Sequence, residues 1–450
     1  MATSRQPNSQ LRDTIASTGW TYDGVARAVR RVAAENGDLL RTNKSAVAHW
    51  VEGSQPSGRT GQYLAEALSR RVGRTVTASE IGLRGGEGIS VAGEDPVVAT
   101  SELGRADLDR RQLLAVAAFT AAGVAMPLSY DHDAVGRMMR ARKSLGAVGE
   151  AEIDVVRNVT AVFAAADEIL GGGHGLSTVA AYLADTAAPM LRGRFHSDDV
   201  RRQAFGAVAE LAYLAGWKHH DLGHEGAAQR YYLVGYQLAC EADPHGHAAW
   251  MMRALAHQAL SLKQPRHCAD LIGLALKRGV GHLDGQTMAL LHITRARAFA
   301  FLRDGAPAAR ALLAAEAALT KLDEPQPAFS AAAGPAAGTI ASHTARALTD
   351  LGDHSGTERQ HRAALKAWDP IKYKRVHVLT FADLGDSLAT QGRADEAVGA
   401  WTNSLDLTDG MVSDRTRKAM SSIRPTLAVY RKRGVPGAVD LDRRAAAMSR

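Results

Sequence analysis

The chain has 450 residues, of which 22% are charged and 46% hydrophobic, and its formal net charge is +7. This composition is ordinary for a soluble globular protein, and the length predicts more than one domain. The two cysteines, Cys240 and Cys268, exclude a disulfide framework, and no C-x-x-C spacing offers a zinc site. We therefore predict two buried thiols in a reducing cytosol.

The positive charge is concentrated at the start of the chain. Residues 1–84 contain twelve Lys and Arg but only seven Asp and Glu, so most of the excess lies in the first fifth of the sequence. Binding to a phosphate backbone requires such a local excess. A basic, solvated surface without a partner is the alternative.

Residues 1–84 are predicted to form a small helical domain. Its predicted elements are helices over Gln10–Ser17, Thr21 to Asn36, 44–52 and Thr60–Val72, followed by a closing segment Val76–Leu83. The closing segment carries a capping-box pattern from Thr77 to Glu80.

The stretch Arg41–Pro56 contains the helix around which the domain is organised. Asn43 can cap the first turn of this helix, and Gly53 ends it. Its apolar stripe consists of Val47, Trp50 and Val51. The residues off that stripe, where a base edge or a phosphate could be reached, are Lys44, Ser45 and His49. Trp50 is therefore assigned to the core.

Two helices, then W-V-E-G-x-x-P, then another helix resemble the XRE-type, lambda-repressor-like helix-turn-helix family. The domain is similar, more narrowly, to a group of actinobacterial regulators. The residues that carry this resemblance are Gly19-Trp20, Tyr22, Val25-Ala26-Arg27, Val29, Trp50, Gly53, Pro56, Leu68-Ser69, Arg71-Val72-Gly73-Arg74, Val76-Thr77 and Ile81-Gly82-Leu83. Ala26 and Val47 are 21 positions apart, about twice the compact spacing, so we expect a long second helix or a loop.

The resemblance implies binding to double-stranded DNA, with helix 44–52 in the major groove. The candidate DNA-binding residues are Arg41, Asn43, Lys44, Ser45, His49 and Arg59. We expect Lys44 and His49 to contact base edges or phosphates, and Arg41 and Arg59 to clamp phosphates. A homodimer is favoured, because two-fold-related half-sites about 34–36 Å apart need a matched pair of domains. For each residue, the alternative is a solvated surface position.

Residues 85–104 contain five glycines, one proline and four acids, and we interpret them as a linker. The alternative is an ordered loop packed on either domain. After Arg110-Arg111, the apolar run Leu113–Met126 is too short to span a bilayer, which needs about 20 residues. We predict a buried amphipathic helix there, no membrane contact and a cytoplasmic location.

From Ala106 onward we predict only helices and no strand alternation. The first predicted runs are 106–125, 131–146, 149–170, 175–191, 198–217, 225–241 and 247–262, and further runs continue to about 448. The fold class is thus all-α, with a helix-turn-helix domain (1–84), a linker (85–104) and an α-helical repeat domain (105–450).

A repeated pattern of small, glycine and aromatic positions resembles tetratricopeptide repeats over about 198–410. The clearest unit has Leu384-Gly385, Gly392, Ala397 and Trp401, and another has Gly216, Gly223, Ala228 and Tyr232. Three further units are degenerate. We assign their small positions to Ala269, Ala309 and Thr357, and the aromatic positions of the last two to Leu313 and His361. The last unit keeps its turn glycine, Gly352. Helices of 106–197 and 413–448 are expected to cap the array or form a dimer.

No catalytic constellation, cofactor site or metal site is predicted. His219, His220 and His224 are interpreted as a surface turn, because Gly223 breaks the helical spacing that a metal would need. Gly171–Gly175 is interpreted as a loop, since it lacks G-K-[ST] and follows no strand. There is no G-x-S-x-G motif.

The sequence therefore predicts a DNA-binding transcriptional regulator that is not an enzyme. The resemblance implies that a peptide or small-molecule effector binds in the repeat groove and changes the dimer geometry, in development or secondary metabolism. The alternative is a non-catalytic tetratricopeptide adaptor that holds a protein partner without specific DNA binding. An α-helical enzyme has no support in the sequence.

Overall fold

A computed structural model describes residues 7–35, 39–72, 76–78, 80–83, 95–108, 145–320 and 326–448. The fold is all-α, with 76% helix and 1% strand, which confirms the predicted class. The helices are α1 (Ser9–Thr18), α2 (Tyr22–Glu35), α3 (Lys44–Val51), α4 (Thr60–Val72), α5 (Pro96–Leu108), α6 (Glu150–Leu170), α7 (Leu176–Tyr182), α8 (Ala188–Met190), α9 (Asp198–Asp221), α10 (Glu225–Ala242), α11 (Gly246–Ser261), α12 (Pro265–Arg278), α13 (Gly285–Phe301), α14 (Gly305–Leu319), α15 (Ala328–Ala331), α16 (Ala336–Leu351), α17 (His354–Ala367), α18 (Lys374–Thr390), α19 (Ala394–Asp406), α20 (Asp414–Ser422), α21 (Arg424–Lys432) and α22 (Ala438–Met448).

Helices α1 to α4 pack around one apolar core, as the sequence predicted. The core includes Leu11, Val29, Val47, Trp50 and Leu64. Trp50 is only 7% exposed, which confirms its assignment to the core. Among its described residues, 76–78 and 80–83, the closing segment has turns and no helix, and the Thr77 hydroxyl accepts from the Glu80 N–H at 3.1 Å.

The connection between α2 and α3 accounts for the long spacing in the sequence. Helix α2 ends at Glu35 and α3 begins at Lys44, so eight residues separate them. A compact helix-turn-helix has a turn of about 3–4 residues. The sequence left two explanations for the long spacing, a long second helix or a loop before the third helix. Helix α2 spans 14 residues, and the connection that follows it has eight residues.

The end of the predicted linker is wrong, because residues 96–104 lie in the ordered helix α5. Asp95 caps α5 by accepting the Val97 N–H at 2.9 Å, and Pro96 occupies the first turn. Val97 and Leu103 are buried in the core of the repeat domain. The acid and glycine content resembled a linker, but Asp95 is a cap and Gly104 is a close-packing position against Ala184.

Several helix predictions are confirmed at 149–170, 198–217, 225–241 and 247–262. The run 175–191 is divided, because a π-helical segment at Leu183–Ala187 separates α7 from α8. The runs 106–125 and 131–146 lie almost entirely outside the described residues, as does Leu113–Met126.

Two short strands contradict the prediction that no strand occurs after residue 106. Strand β1 (Leu145–Val148) pairs in parallel with β2 (Gly193–Phe195), next to α6 and α8. Each strand has three or four residues, which is too short to display an alternating pattern.

The repeat pairs are α9–α10, α11–α12, α13–α14, α16–α17 and α18–α19. One or two residues after the first helix of each pair, the backbone adopts a left-handed conformation. The residues in this conformation are Gly223, Lys263, Arg303, Gly352 and Gly392, with φ between 60° and 85°. They are spaced by 40, 40, 49 and 40 positions, longer than the tetratricopeptide period of about 34 residues. The packing of two pairs, α9–α10 and α18–α19, follows the predicted pattern, since a Cβ at Gly216 would meet Tyr232 and one at Gly385 would meet Trp401.

The left-handed residues correct the register of two degenerate units. Five residues after each lies a fully buried small side chain: Ala228, Cys268, Ala308, Thr357 and Ala397. The predictions of Ala269, Ala309 and Leu313 are therefore wrong by one residue, and Leu313 is 66% exposed. Thr357 and His361 are in register and buried.

The array closes on itself, so that residues near its start contact residues near its end. Helix α6 packs against α18. The Val412 N–H donates to the Leu170 carbonyl at 2.8 Å, and the Ser413 hydroxyl donates to Asp221 at 2.9 Å. The first helices of four of the five pairs, α9, α11, α16 and α18, consequently contribute to the wall of a central cavity. In the part of the chain that the structure describes, no helix combines the length and hydrophobicity needed to cross a bilayer.

Candidate nucleic-acid interface and central cavity

Helix α3 has one buried face and one exposed face. Val47, Trp50 and Val51 are buried in the core of the N-terminal domain. The side chains that are exposed on the other face are Lys44, Ser45 and His49. The structure thus brings three of the candidate DNA-binding residues together on one accessible side of a short helix.

Both ends of α3 are held in place by hydrogen bonds. The Asn43 side chain accepts the Ala46 N–H at 3.0 Å, so its amide oxygen caps the helix as predicted. Arg30 of α2 donates to the Thr42 carbonyl just before the helix. At the other end, the Asn8 N–H donates to the Val51 carbonyl at 2.8 Å. Arg30 and Asn8 were not singled out in the sequence, because their bonds are to backbone atoms far along the chain.

The remaining candidates differ in their environment. Arg41 is exposed, two residues before the Asn43 cap. Arg59 is half-buried, with its guanidinium 5.6 Å from the centre of the Tyr63 ring. The His49 Nδ1 lies 3.4 Å from a carboxylate oxygen of Glu52, and both side chains are about two-thirds exposed. An exposed pair of this kind contributes little to stability, so His49 remains available to a ligand.

The central cavity was not found from the sequence. It has a volume of about 110 Å³ and lies between α6, α9, α11, α16, α18 and α20. The residues that line it include Glu168, Tyr213, Trp217, Arg253, His257, His343, Arg346, Trp368, Arg375 and Arg415. A signal existed once the register is known, because in three of the five pairs the residue six positions before the left-handed residue lines the cavity. These residues are Trp217, His257 and Arg346.

A buried ionic network holds the closure of the array beside this cavity. The Arg375 guanidinium is 2.7 Å from both Asp167 and Glu168, and 3.6 Å from Asp221. Lys218 is 3.3 Å from Asp167, and both side chains are almost fully buried. Although burial opposes it, the carboxylates around Arg375 hold the pKa of that guanidinium above its ordinary value.

The histidine turn is buried, so the prediction of a surface turn is wrong. His219 and His220 lie in the last turn of α9, which continues to Asp221 before Gly223 adopts the left-handed conformation. His219 Nε2 is 2.9 Å from Asp107, and His220 Nδ1 is 2.9 Å from Glu225. Among the described residues, no group of three His, Cys, Asp or Glu side chains is suited to a metal ion.

The glycine-rich segment Gly171–Gly175 is a loop, as predicted, and it packs closely against other backbone. A Cβ at Gly171 would lie 2.5 Å from the Val412 carbonyl oxygen, and the Gly172 N–H donates to Asp221 at 2.9 Å. Both cysteines are buried free thiols, and burial raises the pKa of Cys268 to about 12. Neither thiol is therefore poised for reaction.

A model of the family described as the SP15 N-terminal domain matches residues 11–84. The matched segment coincides with the N-terminal domain and covers about a sixth of the chain. No curated protein matches the chain. The family match ends at residue 84 and does not extend into the repeat array.

Proposed function

We propose that the protein is a cytoplasmic, DNA-binding transcriptional regulator of the XRE-type helix-turn-helix class. Helix α3 enters the major groove, and the closed repeat array responds to an effector. Two copies bind as a homodimer to a two-fold-related operator, because one short recognition helix reads too few bases for a specific site. The proposal does not involve catalysis.

The exposed face of α3 is the observation that carries this proposal. Lys44, Ser45 and His49 project from a helix whose other side is fixed in a core, so their positions are rigid relative to the domain. A recognition helix requires this combination of a packed face and an accessible polar face. The positive charge of residues 1–84 adds attraction to the phosphate backbone.

The test is to sequence the genomic DNA that co-purifies with the full-length protein and with Lys44→Ala. We expect recurrent, two-fold-related sites with the wild type and their loss in the variant, because Lys44 is an exposed cation on the outer face of α3. Arg12→Ala is a matched control, since it removes an exposed cation from α1 of the same domain. Circular dichroism should show the same helicity for all three proteins.

Random background DNA with the wild type would contradict the proposal and favour the adaptor. Loss of the sites in Arg12→Ala to the same extent as in Lys44→Ala would contradict the assignment of α3 as the recognition helix. A defined set of sites without two-fold symmetry would contradict the dimer.

A further inference from the structure

The side chains that line the central cavity carry more positive than negative charge. Four arginines line it, each from a different helix: Arg253 of α11, Arg346 of α16, Arg375 of α18 and Arg415 of α20. Among the described lining residues, Glu168 is the one acid. The cavity is therefore a cationic chamber within the array.

Two of these arginines already have carboxylate partners. Arg375 is bound by Asp167 and Glu168, each at 2.7 Å. Arg346 is 2.9 Å from Asp383, and its side chain is 29% exposed, so the cavity reaches solvent on that side. These two arginines shape the chamber but have little charge left to offer a ligand.

The other two arginines have no carboxylate within ion-pair distance among the described residues. Arg253 is 6% exposed, its Nε has no hydrogen-bond partner, and its guanidinium lies 4.9 Å from the centre of the Trp250 ring. Arg415 lies 5.2 Å from the centre of the Trp217 ring. Burial lowers the pKa of both guanidinium groups. Arg253 is thus a buried cation without an anionic partner, which is costly, whereas Arg415 is half-buried. A bound anion would remove that cost.

Two histidines add neutral hydrogen-bonding groups to the cavity wall. Burial, followed by the charge of Arg297, lowers the pKa of His257 and His343 well below its ordinary value, so both rings are neutral. The Nδ1 of His343 is 3.1 Å from a guanidinium nitrogen of Arg297, which can only donate. The ring proton of His343 is therefore on Nε2, and the ring serves as a hydrogen-bond donor.

Aromatic side chains form the rest of the wall. Tyr213, Trp217 and Trp368 line the cavity, and we call them the aromatic wall. The volume of about 110 Å³ holds several water molecules, since one needs about 10–15 Å³. Space of this size fits a small ligand and excludes a folded peptide segment.

We propose that the central cavity binds a small organic carboxylate with a planar ring. Arg253 and Arg415 hold the carboxylate, and the ring packs against the aromatic wall. Guanidinium groups bind carboxylates through paired, charge-assisted hydrogen bonds, and a planar ring stacks on Trp and Tyr. The claim that this ligand is the effector rests on the proposed function. The claim that the ligand binds in the cavity does not depend on it.

The test uses calorimetric titration of the full-length protein with two matched pairs of ligands. Benzoate and indole-3-carboxylate carry the charge, whereas benzamide and indole-3-carboxamide have the same shape without it. We expect at least one carboxylate to bind saturably and at least tenfold more tightly than its amide. We expect Arg253→Met to weaken that binding at least tenfold and Arg253→Lys to weaken it less.

Arg295→Met is the matched control. Arg295 also lies on the first helix of a repeat pair, 5.5 Å from the centre of the Phe299 ring, and its Nε also lacks a partner, but it does not line the cavity. This variant should bind the carboxylate as the wild type does. Without ligand, Arg253→Met should melt at the same temperature as the wild type or higher, since it removes an unpaired buried charge. Arg415→Met provides an independent second variant.

Equal affinity for a carboxylate and its amide would overturn the proposal. So would the result that neither carboxylate binds saturably. Binding of inorganic phosphate in place of both carboxylates would overturn the ligand class. Equal weakening by Arg295→Met and Arg253→Met would overturn the site. A second titration, with the protein on its operator, separates the two claims: carboxylate binding without any DNA binding contradicts the proposed function alone, and DNA binding without carboxylate binding contradicts the cavity site alone.

Discussion

In the N-terminal domain Arg41 and Lys44 face solvent, whereas in the repeat array Arg253 and Arg375 of the central cavity are buried. Lys44 and Arg41 are exposed, but Arg375 is 1% exposed and Arg253 is 6% exposed. An exposed cation costs little free energy and can serve a large, mobile polyanion such as DNA. A buried cation needs a fixed partner, which the protein supplies for Arg375 and does not supply for Arg253.

This difference indicates two kinds of anion recognition in one chain. The exposed face of α3 suits contacts that weaken as salt concentration rises. Arg253 and Arg375 of the cavity are buried from bulk solvent, so their charges are screened less by salt and discriminate by shape. Substitutions in the two regions should therefore have opposite profiles: changes around α3 affect binding but not folding, and changes in the ionic network affect folding.

The largest effect is expected from Arg375→Met. This substitution leaves Asp167, Glu168 and Asp221 buried without their shared cation, and we expect a loss of about 3–5 kcal/mol in the free energy of unfolding. Urea unfolding of the full-length protein, followed by circular dichroism, measures it. Arg27→Met is the control, because its pair with Asp23 is more than half exposed and should contribute at most about 1 kcal/mol. Similar losses in the two variants would contradict the contrast between buried and exposed charges.

A smaller, pH-dependent effect is expected from His361→Phe. Burial lowers the pKa of His361 to about 4, and its Nδ1 has no hydrogen-bond partner. In the unfolded chain the pKa is about 6.5, so the unfolded state binds more protons between these values. Stability contributed by the neutral ring is present above pH 6.5 and is lost as the pH falls toward 4.

As the pH falls from 6.5 to 4, the wild type should lose up to about 3 kcal/mol more free energy of unfolding than the His361→Phe variant, since one pKa unit corresponds to about 1.4 kcal/mol. The phenylalanine also places an apolar aromatic side chain at the repeat position that Trp401 and Tyr232 occupy in their own pairs. Chemical unfolding at a series of pH values measures the difference. His196→Gln, at an exposed loop position, should follow the wild type. Parallel curves for His361→Phe and the wild type would mean that folding does not lower the pKa of His361.

The smallest effect is expected at the helix turns. Lys263 is exposed and has a φ of 60°, a conformation that costs a non-glycine residue about 1–2 kcal/mol. Lys263→Gly should stabilise the array by up to about 1 kcal/mol, because the gain is partly offset by the greater freedom of glycine in the unfolded chain. Gly392→Ala, at the equivalent turn, should destabilise it by about 1–2 kcal/mol. A loss of stability in Lys263→Gly would show that the lysine side chain makes a contact that outweighs its backbone strain.

The elements that could be predicted are those with local signals. The bounds of α3 follow from the Asn43 cap and the apolar spacing of Val47 and Trp50, and α4 was predicted to the residue. The turns at Gly223 and Gly392 were found for the same reason, because glycine is the usual left-handed residue. At the equivalent turns Lys263 and Arg303 take its place, so the register there could not be read.

The features that could not be predicted depend on contacts between distant parts of the chain. Arg375 meets Asp167 more than 200 positions away, and nothing in either local sequence indicates this pairing. Helix α5 was missed because Asp95 and Gly104 have linker-like identities but act as a cap and a close-packing position. The cavity was missed because its lining comes from six helices.

The central claim is that the exposed face of α3, with Lys44 as its cation, binds DNA, and the salt dependence of affinity tests it most directly. Fluorescence anisotropy would measure the affinity of the full-length protein and of Lys44→Ala for a recovered site over a range of salt concentrations. We predict that log affinity falls linearly with log salt for the wild type. If Lys44 contacts one phosphate, the slope should be shallower by about 0.9 in the variant. An affinity that does not change with salt, or identical lines for both proteins, would contradict the claim.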